Sequence, residues 1–314
     1  MAILISGLSL KYKLSKKATD TTINFEAFIN NLLMEIKTIC VCGAGTMGAG
    51  IAQVAAQQGF TTILFDVNAA MLNKAKTDIE TNLNTQVAKG KLSEEAGFST
   101  LQKLYFINQL EQCIADVCIE AIVENIEAKV GLINQLAAIN NQHTIFATNT
   151  SSLSIDSIAQ KTVCAHRVLG MHFFNPAFIM KLVEVVEGSQ TDPQVVVTII
   201  ELAKKLGKTP VLCRDFPGFI VNRVARHYYL EAMKMVEAGV AGIETIDEMM
   251  EASGFKMGPF KLIDLIGMDI NFSASKSVYE ALGKPERLKP SLLQEQMVET
   301  GKLGRKTKQG FYNY

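Results

Sequence analysis

Short apolar runs alternate with longer amphipathic segments over the middle of the chain. The runs Thr38–Cys42 and Thr61–Phe65 are apolar and rich in β-branched residues, so each predicts a buried strand. Between them the apolar residues of 51–56 recur at helical spacing, and a longer amphipathic helix is predicted over Ala69–Ala88. Strands that alternate with helices in this way are typical of an α/β fold with a doubly wound, mostly parallel sheet.

Further apolar runs continue the alternation. The last of them follows Pro176, and we expect it to extend the sheet. The additional strands are predicted at residues 117–123, 144–147, 168–174 and 181–187.

The pattern changes after Lys208. Residues 213–218 form a turn-like break rich in polar residues, proline and glycine, and the segments beyond it have helical spacing. A chain of 314 residues exceeds the usual size of one hydrophobic core. We therefore predict an α/β domain over 36–215 and an all-helical domain over 216–314. The predicted helices of the second domain cover 220–237, 246–253, 259–281 and 290–300.

The first 35 residues do not share this organisation. An apolar stretch precedes a lysine-rich one, which reverses the order of a secretory signal, and arginine is absent from both. We predict a disordered N-terminal extension over 1–35 and a cytoplasmic protein. A mitochondrial transit peptide and a translation start at Met34 are the alternatives.

Composition excludes several classes of partner. The chain has 31 basic and 31 acidic residues, so its net charge gives no general reason to bind nucleic acid or an anionic membrane. No apolar run reaches the roughly 18–20 residues of a membrane-spanning helix. The six cysteines show no CxxC pair or repeated ligand spacing. We expect reduced, mostly buried thiols and no metal site.

A glycine-rich turn lies between the first strand and the first helix. In a strand–turn–helix unit such a GxGxxG turn is typical of a Rossmann-like dinucleotide site, because the backbone approaches the pyrophosphate and the helix N-terminus faces it. The first glycine permits the tight turn, the second the close approach, and the third the packing of helix on sheet. The turn consists of Gly43, Ala44, Gly45, Thr46, Met47 and Gly48.

An acidic residue ends the second strand. Asp66 is placed to accept hydrogen bonds from both ribose hydroxyls, and its charge would repel a 2′-phosphate. No arginine follows in residues 67–68. The sequence therefore predicts NAD rather than NADP.

A histidine near the end of an apolar run is the main candidate for proton transfer. His172 lies near the end of the strand predicted over 168–174, and Glu184 lies among three valines in the next strand. A carboxylate in apolar surroundings needs a partner, and a His–Glu pair would fix the imidazole tautomer and stabilise the imidazolium form. The alternatives are a histidine satisfied within the core and a glutamate on the solvent side of an exposed strand.

Neutral polar residues follow the strand at 144–147. Asn149, Ser151 and Ser152 suit the orientation of a hydroxyl or carbonyl group, but they equally suit the N-cap of a helix that begins near Ile155. Asn222, near the start of the first helix of the second domain, has the same two interpretations.

Several motifs occur in order along the chain. They are GAGTMG at 43–48, EAIVEN at 120–125, NTSSL at 149–153, HFFNP at 172–176, KLVEV at 181–185, PGFIVNR at 217–223, and GRKT with GFY at 304–312. Together they closely resemble the L-3-hydroxyacyl-CoA dehydrogenases, in particular the short-chain or 3-hydroxybutyryl-CoA type. The resemblance runs from about residue 35 to the C-terminus.

The resemblance implies a catalytic set. His172 would be the general base that removes the proton of the substrate's 3-hydroxyl group while a hydride passes from C3 to NAD. Glu184 would be its electrostatic partner, and Ser151 and Asn222 would hydrogen-bond the reacting oxygen. Because the last two lie on opposite sides of the predicted domain break, the site would be completed by closure of a cleft.

The resemblance also implies contacts with the cofactor and with CoA. Lys89 matches a residue near the CoA phosphates, and Asn82 stands where a serine is common at a second CoA position. Lys308 stands where many members have a glycine. The positions that match cofactor contacts are Asp66, Glu124, Lys129, Asn149, Asn175 and Lys306.

The leading function is thus NAD-dependent oxidation and reduction of short-chain 3-hydroxyacyl-CoA and 3-oxoacyl-CoA, in a homodimer formed by the second domain as in the family. One alternative is a related dehydrogenase of a small free hydroxy acid, as in the crystallin-like branch. The other is a non-catalytic NAD-binding protein.

Overall fold

The described part of the chain contains one large sheet and a group of helices. The computed structural model describes residues 35–314, so the extension predicted over 1–35 lies outside the described residues except for Glu35. Residues 36–314 form one compact unit. The predicted class, a doubly wound α/β sheet followed by helices, is confirmed.

The sheet has eight strands in the spatial order β3-β2-β1-β4-β5-β6-β7-β8. Neighbouring strands are parallel except β6 and β7, which are antiparallel. The chain order reverses beside β1, which creates the crevice where open α/β sheets bind ligands. The strands are β1 (Thr38–Cys42), β2 (Thr61–Phe65), β3 (Leu104–Ile107), β4 (Val117–Glu120), β5 (Ile145–Thr148), β6 (Val168–Phe173), β7 (Leu182–Glu187) and β8 (Thr209–Arg214).

Six helices connect the strands, and five more follow the sheet. Those within the α/β region are α1 (Thr46–Gln57), α2 (Ala69–Ala88), α3 (Glu94–Gln102), α4 (Ile126–Ile139), α5 (Ile155–Ala159) and α6 (Pro193–Lys205). Those after it are α7 (Val221–Glu237), α8 (Ile243–Ala252), α9 (Pro259–Ile266), α10 (Met268–Ala281) and α11 (Leu292–Glu299).

The central strands are buried on both faces, as their continuous apolar sequences predict. β4, β5 and β6 have no exposed residue, and β1 is buried from Ile39 onward. The sulfur atoms of Cys40 and Cys42 lie 3.8 Å apart on one face of β1. All six cysteines are free thiols, and Cys213 alone among them is not fully buried.

Two strands were not predicted. β3 and β8 form the two edges of the sheet, and Cys213 and Arg214, predicted to begin the turn-like break, are the last residues of β8. β8 contains Pro210 and no fully buried residue, so it lacks the apolar signal of the central strands. Proline is tolerated there because an edge strand pairs on one side only.

The second group of helices has its own core, in which Met233, Phe260, Ile263 and Met268 are fully buried. The helix predicted over 259–281 is divided at Gly267, whose φ of 103° ends α9 and begins α10. No helix among residues 35–314 is long and apolar enough to cross a membrane.

Lys308 occupies a left-handed backbone position. It follows a short 3-10 turn (Arg305–Thr307) with φ of 58°. A side chain in this conformation is strained, whereas glycine adopts it freely. This backbone explains why the family resemblance expects glycine at this place.

We predict that Lys308→Gly stabilises the protein by about 0.5 kcal/mol, since relief of left-handed strain exceeds the added entropy of the unfolded chain. The matched control is Lys302→Gly, at an equally exposed lysine outside the left-handed region, which should lower stability. Urea unfolding measures both variants. A Lys308→Gly protein less stable than the wild type would contradict the strain argument.

Candidate active site

The glycine turn leaves room for a ligand at one of its three glycines. A Cβ atom on Gly43 would lie 2.5 Å from the Ala121 carbonyl oxygen, and one on Gly48 would lie 1.7 Å from that of Gly43. A Cβ atom on Gly45 would meet no atom within 4 Å. Gly43 and Gly48 are therefore required by packing, while Gly45 borders open space. This arrangement fits the close approach of a pyrophosphate.

The N-terminus of α1 faces the same space with its positive dipole. Gly45 is the N-cap, no side chain caps the helix, and its first turn contains no acidic residue. Its first amides are thus suited to bind an anion. Asp66 lies beside the turn, where its carboxylate accepts hydrogen bonds from the amides of Ala44 at 2.8 Å and Asn68 at 2.9 Å. The uncapped amides of α1 and the carboxylate of Asp66 together fit the pyrophosphate and a ribose of NAD.

His172 and Glu184 form a close pair. They are direct partners in the antiparallel register of β6 and β7, which places both side chains on one face of the sheet. The Nδ1 atom of His172 lies 2.7 Å from Oε2 of Glu184, and both residues are buried. The solvent-facing alternative for Glu184 is thereby excluded, since its exposed fraction is 1%.

The other carboxylate oxygen of Glu184 joins the sheet to α7. Oε1 accepts hydrogen bonds from the backbone amides of Ile220 and Val221, each at 2.9 Å. The preceding turn has positive φ at Gly218 (75°) and Phe219 (46°). This conformation directs successive amides into one concave site for an anion.

These hydrogen bonds determine the charge of Glu184. Burial alone would raise its pKa, but hydrogen bonds from His172 and from the amides of Val221 and Ile220 hold the pKa below its ordinary value. The carboxylate is therefore ionised near neutral pH and can only accept. His172 must donate from Nδ1, which leaves Nε2 as the nitrogen able to take a proton.

Ser151 and Asn222 lie together, as the predicted closure of a cleft requires. The side-chain amide of Asn222, in the first turn of α7, is 3.4 Å from the Ser151 carbonyl oxygen. The N-cap of α5 is Ser154, so neither Ser151 nor Ser152 caps that helix. Asn149 accepts a hydrogen bond from the Phe173 amide at 2.8 Å, which fixes the loop beside His172.

An ion-pair network that runs from the buried Glu120 and Lys129 to the exposed Glu124 supports this loop. Glu124 accepts hydrogen bonds from the Ser151 amide and the Ser152 hydroxyl group at 3.1 and 2.9 Å. Its other oxygen lies 3.2 Å from Lys129, whose side chain has no exposed surface and lies 2.7 Å from Glu120. Partial desolvation would raise the pKa of Glu124, but the charge of Lys129 and the hydrogen bonds from Thr150 and Ser152 hold the pKa below its ordinary value.

Two members of this network, Glu120 and Lys129, have contacts that differ from the sequence prediction. The positioning contacts of Glu120 were not predicted, although a charged residue at the end of a buried strand is the signal that also marks Asp66. Lys129, predicted as a cofactor contact, lies between the carboxylates of Glu120 and Glu124 and has no exposed side-chain surface.

An open groove runs along α2. It has a volume of about 580 Å³ and contains the predicted CoA positions Lys89 and Asn82. Phe178 and Ile179, from the loop between β6 and β7, form the opposite wall and were not predicted. The Oδ1 atom of Asn82 accepts a hydrogen bond from the Gln86 side chain at 2.6 Å.

Two predicted cofactor positions have other surroundings. Asn175 is exposed in the loop after β6. The Nζ atom of Lys306 lies 2.5 and 2.6 Å from the two carboxylate oxygens of Asp269. This ion pair lies within the helices that follow the sheet.

Comparison with known proteins identifies the family. The model of the 3-hydroxyacyl-CoA dehydrogenase NAD-binding domain matches residues 38–216, and that of the 3-hydroxyacyl-CoA dehydrogenase C-terminal domain matches 218–314. The chain belongs to the 3-hydroxyacyl-CoA dehydrogenase family. This membership confirms the predicted enzyme class and cofactor, an NAD-dependent oxidoreductase.

Individual members of the 3-hydroxyacyl-CoA dehydrogenase family are similar over most of the chain. The 3-hydroxyadipyl-CoA dehydrogenase of Escherichia coli K12 is 45% identical over 90% of this chain, which spans 60% of that relative's length. A probable 3-hydroxybutyryl-CoA dehydrogenase of Bacillus subtilis is 42% identical over 90% of this chain and 98% of its own. The crystal structure of (S)-3-hydroxybutyryl-CoA dehydrogenase from Ralstonia eutropha has a TM-score of 0.84 and 36% identity, and covers 89% of this chain and 99% of its own.

We predict that Glu184→Gln destabilises the protein by about 2 kcal/mol at neutral pH, because buried hydrogen bonds to a charged group are lost. The folded-state pKa of Glu184 lies below that of the unfolded chain. Its contribution is therefore complete above the ordinary glutamate pKa and disappears as the pH falls through the folded-state value. The difference between wild type and variant should shrink on acidification.

Denaturant unfolding from about pH 7 to about pH 3 measures this difference. Glu187→Gln, at the partly exposed end of the same strand, is the control and should change stability by less than about 0.5 kcal/mol. A wild-type advantage over Glu184→Gln that stays constant across this range would show that the ionised carboxylate is not the source.

Proposed function

We propose that this protein transfers a hydride between NAD and the C3 atom of a short-chain (S)-3-hydroxyacyl-CoA or 3-oxoacyl-CoA, with His172 as general base and acid. The observation that carries the proposal is the buried His172–Glu184 pair, whose second carboxylate oxygen is held by the first amides of α7. An imidazole with one nitrogen committed to an ionised carboxylate has the other available for proton transfer.

In the oxidative direction His172 takes the proton of the 3-hydroxyl group at Nε2. Glu184 stabilises the imidazolium that results, and the hydrogen bond at Nδ1 keeps the ring in its working tautomer. NAD supplies the hydride acceptor. Ser151 and Asn222 orient the reacting oxygen from two sides, and in reduction His172 returns the proton to that oxygen.

The cofactor is held by groups near the crevice in the sheet. The amides at the N-terminus of α1 bind the pyrophosphate, and Asp66 binds the ribose hydroxyl groups. Glu124, Asn149 and Asn175 contribute from the ends of β4, β5 and β6. Lys129 acts here by holding Glu124, and Lys306 contributes from the helices beyond the sheet.

The groove along α2 supports a CoA thioester over a small free hydroxy acid. Lys89 and Lys91 offer positive charge for phosphates, while Phe178 and Ile179 offer apolar surface to the rest of a long ligand. A free hydroxy acid would leave these groups unused. The relatives named for 3-hydroxybutyryl-CoA favour a short acyl chain.

The proposal extends to the assembly and its location. Val224, Ile270 and Leu292, all more than half exposed, offer apolar surface on the later helices for a homodimer contact. The neutral net charge gives no general attraction to nucleic acid or to an anionic membrane. A cytoplasmic location is part of the proposal.

We expect His172→Gln to lower the turnover of acetoacetyl-CoA with NADH by about 10²- to 10⁴-fold, because the proton donor is removed while the glycine turn is untouched. The dissociation constant of NADH, measured by its fluorescence, should change by less than about twofold. His143→Gln, at an exposed histidine remote in sequence from the site, is the matched control. Near-normal turnover by His172→Gln would refute the proposed mechanism.

A further inference from the structure

One wall of the groove along α2 is a loop rather than a helix or strand. Residues 174–181 connect β6 to β7, and Phe178 and Ile179 at their centre line the groove. Local hydrogen bonds within the loop run from the amides of Ile179 and Met180 to the Pro176 carbonyl oxygen, at 3.0 and 2.9 Å. They shape a turn but do not fix its distance from α2.

A lysine from another part of the chain holds this turn. Lys208 lies between α6 and β8, and its Nζ atom donates hydrogen bonds to the carbonyl oxygens of Ala177 and, at 2.9 Å, Met180. These two carbonyls lie immediately before and after the pair of groove-lining residues. A single ammonium group therefore holds both ends of the segment that forms the wall.

The chemistry of the contact indicates positioning. Both acceptors are backbone carbonyl groups. The hydrogen bonds from Lys208 therefore restrain the main chain of the turn itself. Lys208 is partly buried, and burial together with the nearby charge of Lys181 lowers its pKa. A partly desolvated ammonium gains from carbonyl acceptors, since charge-assisted hydrogen bonds are stronger than neutral ones.

The turn is also restrained on its other side. A Cβ atom on Gly50 of α1 would lie 3.2 Å from the Ala177 Cβ atom, so helix and turn are in close contact there. One end of the turn packs on α1, and Lys208 holds the carbonyl groups on both sides of Phe178 and Ile179. These contacts restrain the distance between the two side chains and α2, which is the width of the groove. Loss of the amine would release the wall while leaving the pair His172–Glu184 in place.

We propose that Lys208 is a positioning residue that fixes the Phe178–Ile179 wall of the groove and thereby sets its affinity for the CoA portion of the substrate. This inference rests on the proposed function. Because the groove and the catalytic pair are built from different residues, Lys208 governs binding of the CoA portion and not proton or hydride transfer. Loss of such uniform binding raises KM and leaves kcat unchanged.

The experiment compares two substrates. Lys208→Met keeps an unbranched side chain only one atom shorter and removes its donors. With acetoacetyl-CoA its KM should rise about fivefold at unchanged kcat, whereas the N-acetylcysteamine thioester of acetoacetate, which lacks the nucleotide and phosphates, should show unchanged KM and kcat. Lys208→Arg, which retains donors, should restore most of the affinity, and Lys205→Met, at an exposed lysine at the end of α6, is the control.

A double-mutant cycle distinguishes positioning from a general loss of stability. If Lys208 acts through the wall, Lys208→Met should change the KM for acetoacetyl-CoA by less than twofold when Ile179→Ala has already removed part of that wall. Equal KM increases for both thioesters, a fall in kcat for both, or additive effects of the two substitutions would each overturn the proposal.

Two further measurements distinguish a variant that does not fold from a failure of the proposed function. Should Lys208→Met not fold, as judged by its melting temperature, Lys208→Gln replaces it with a polar, uncharged side chain that is shorter than lysine and lacks the ammonium group, and the same expectations apply. If the wild-type protein is active on acetoacetyl-CoA and the KM of the Lys208 variant is unchanged, the role of Lys208 is rejected and the proposed function is retained. Wild-type protein inactive on both thioesters would reject the proposed function and this inference with it.

Discussion

The buried carboxylate of Glu184 connects the parts of this protein that have to act together. Removing such a charge from water costs several kcal/mol unless hydrogen bonds replace its hydration. Here one oxygen faces His172 across the β6–β7 pair, and the other accepts the first amides of α7. The same group therefore orients the imidazole and attaches the later helices to the sheet.

That connection explains the local backbone. Gly218 and Phe219 have positive φ, which is costly for phenylalanine, and Phe219 is held by burial against Ile155 and Val186. The turn they form presents the amides of residues 220 and 221 to the carboxylate. It also brings Asn222 to the loop that carries Ser151. The proposed proton transfer and the packing of the later helices on the sheet thus depend on the same buried carboxylate.

The sequence predicted the features that depend on local pattern. β1, β2 and α2 have the predicted limits because continuous apolar runs and helical spacing are decided by neighbouring residues. The contact of His172 with Glu184 was predicted because a lone carboxylate among valines requires a partner. The domain division near residue 216 stays a prediction, although both family models meet there.

The missed features depend on tertiary structure. The edge strand β8 has no buried face to produce a pattern, so its pairing with β7 could not be seen. The amides that bind Glu184 belong to the backbone and have no sequence signature. Lys208 had none either, because its acceptors are carbonyls brought to it by the fold. Residue types alone reveal side-chain chemistry but not contacts made by the main chain.

The most direct test of the account is the tautomer of His172. Nitrogen-15 NMR of the imidazole, assigned by the signal lost in His172→Gln, distinguishes a protonated ring nitrogen from a bare one. At a pH where the ring is neutral, the account predicts a proton on Nδ1, donated to Glu184, and a bare Nε2. A neutral ring with the proton on Nε2 and a bare Nδ1 would contradict it, because Glu184 would then not be orienting His172 as the proposed base.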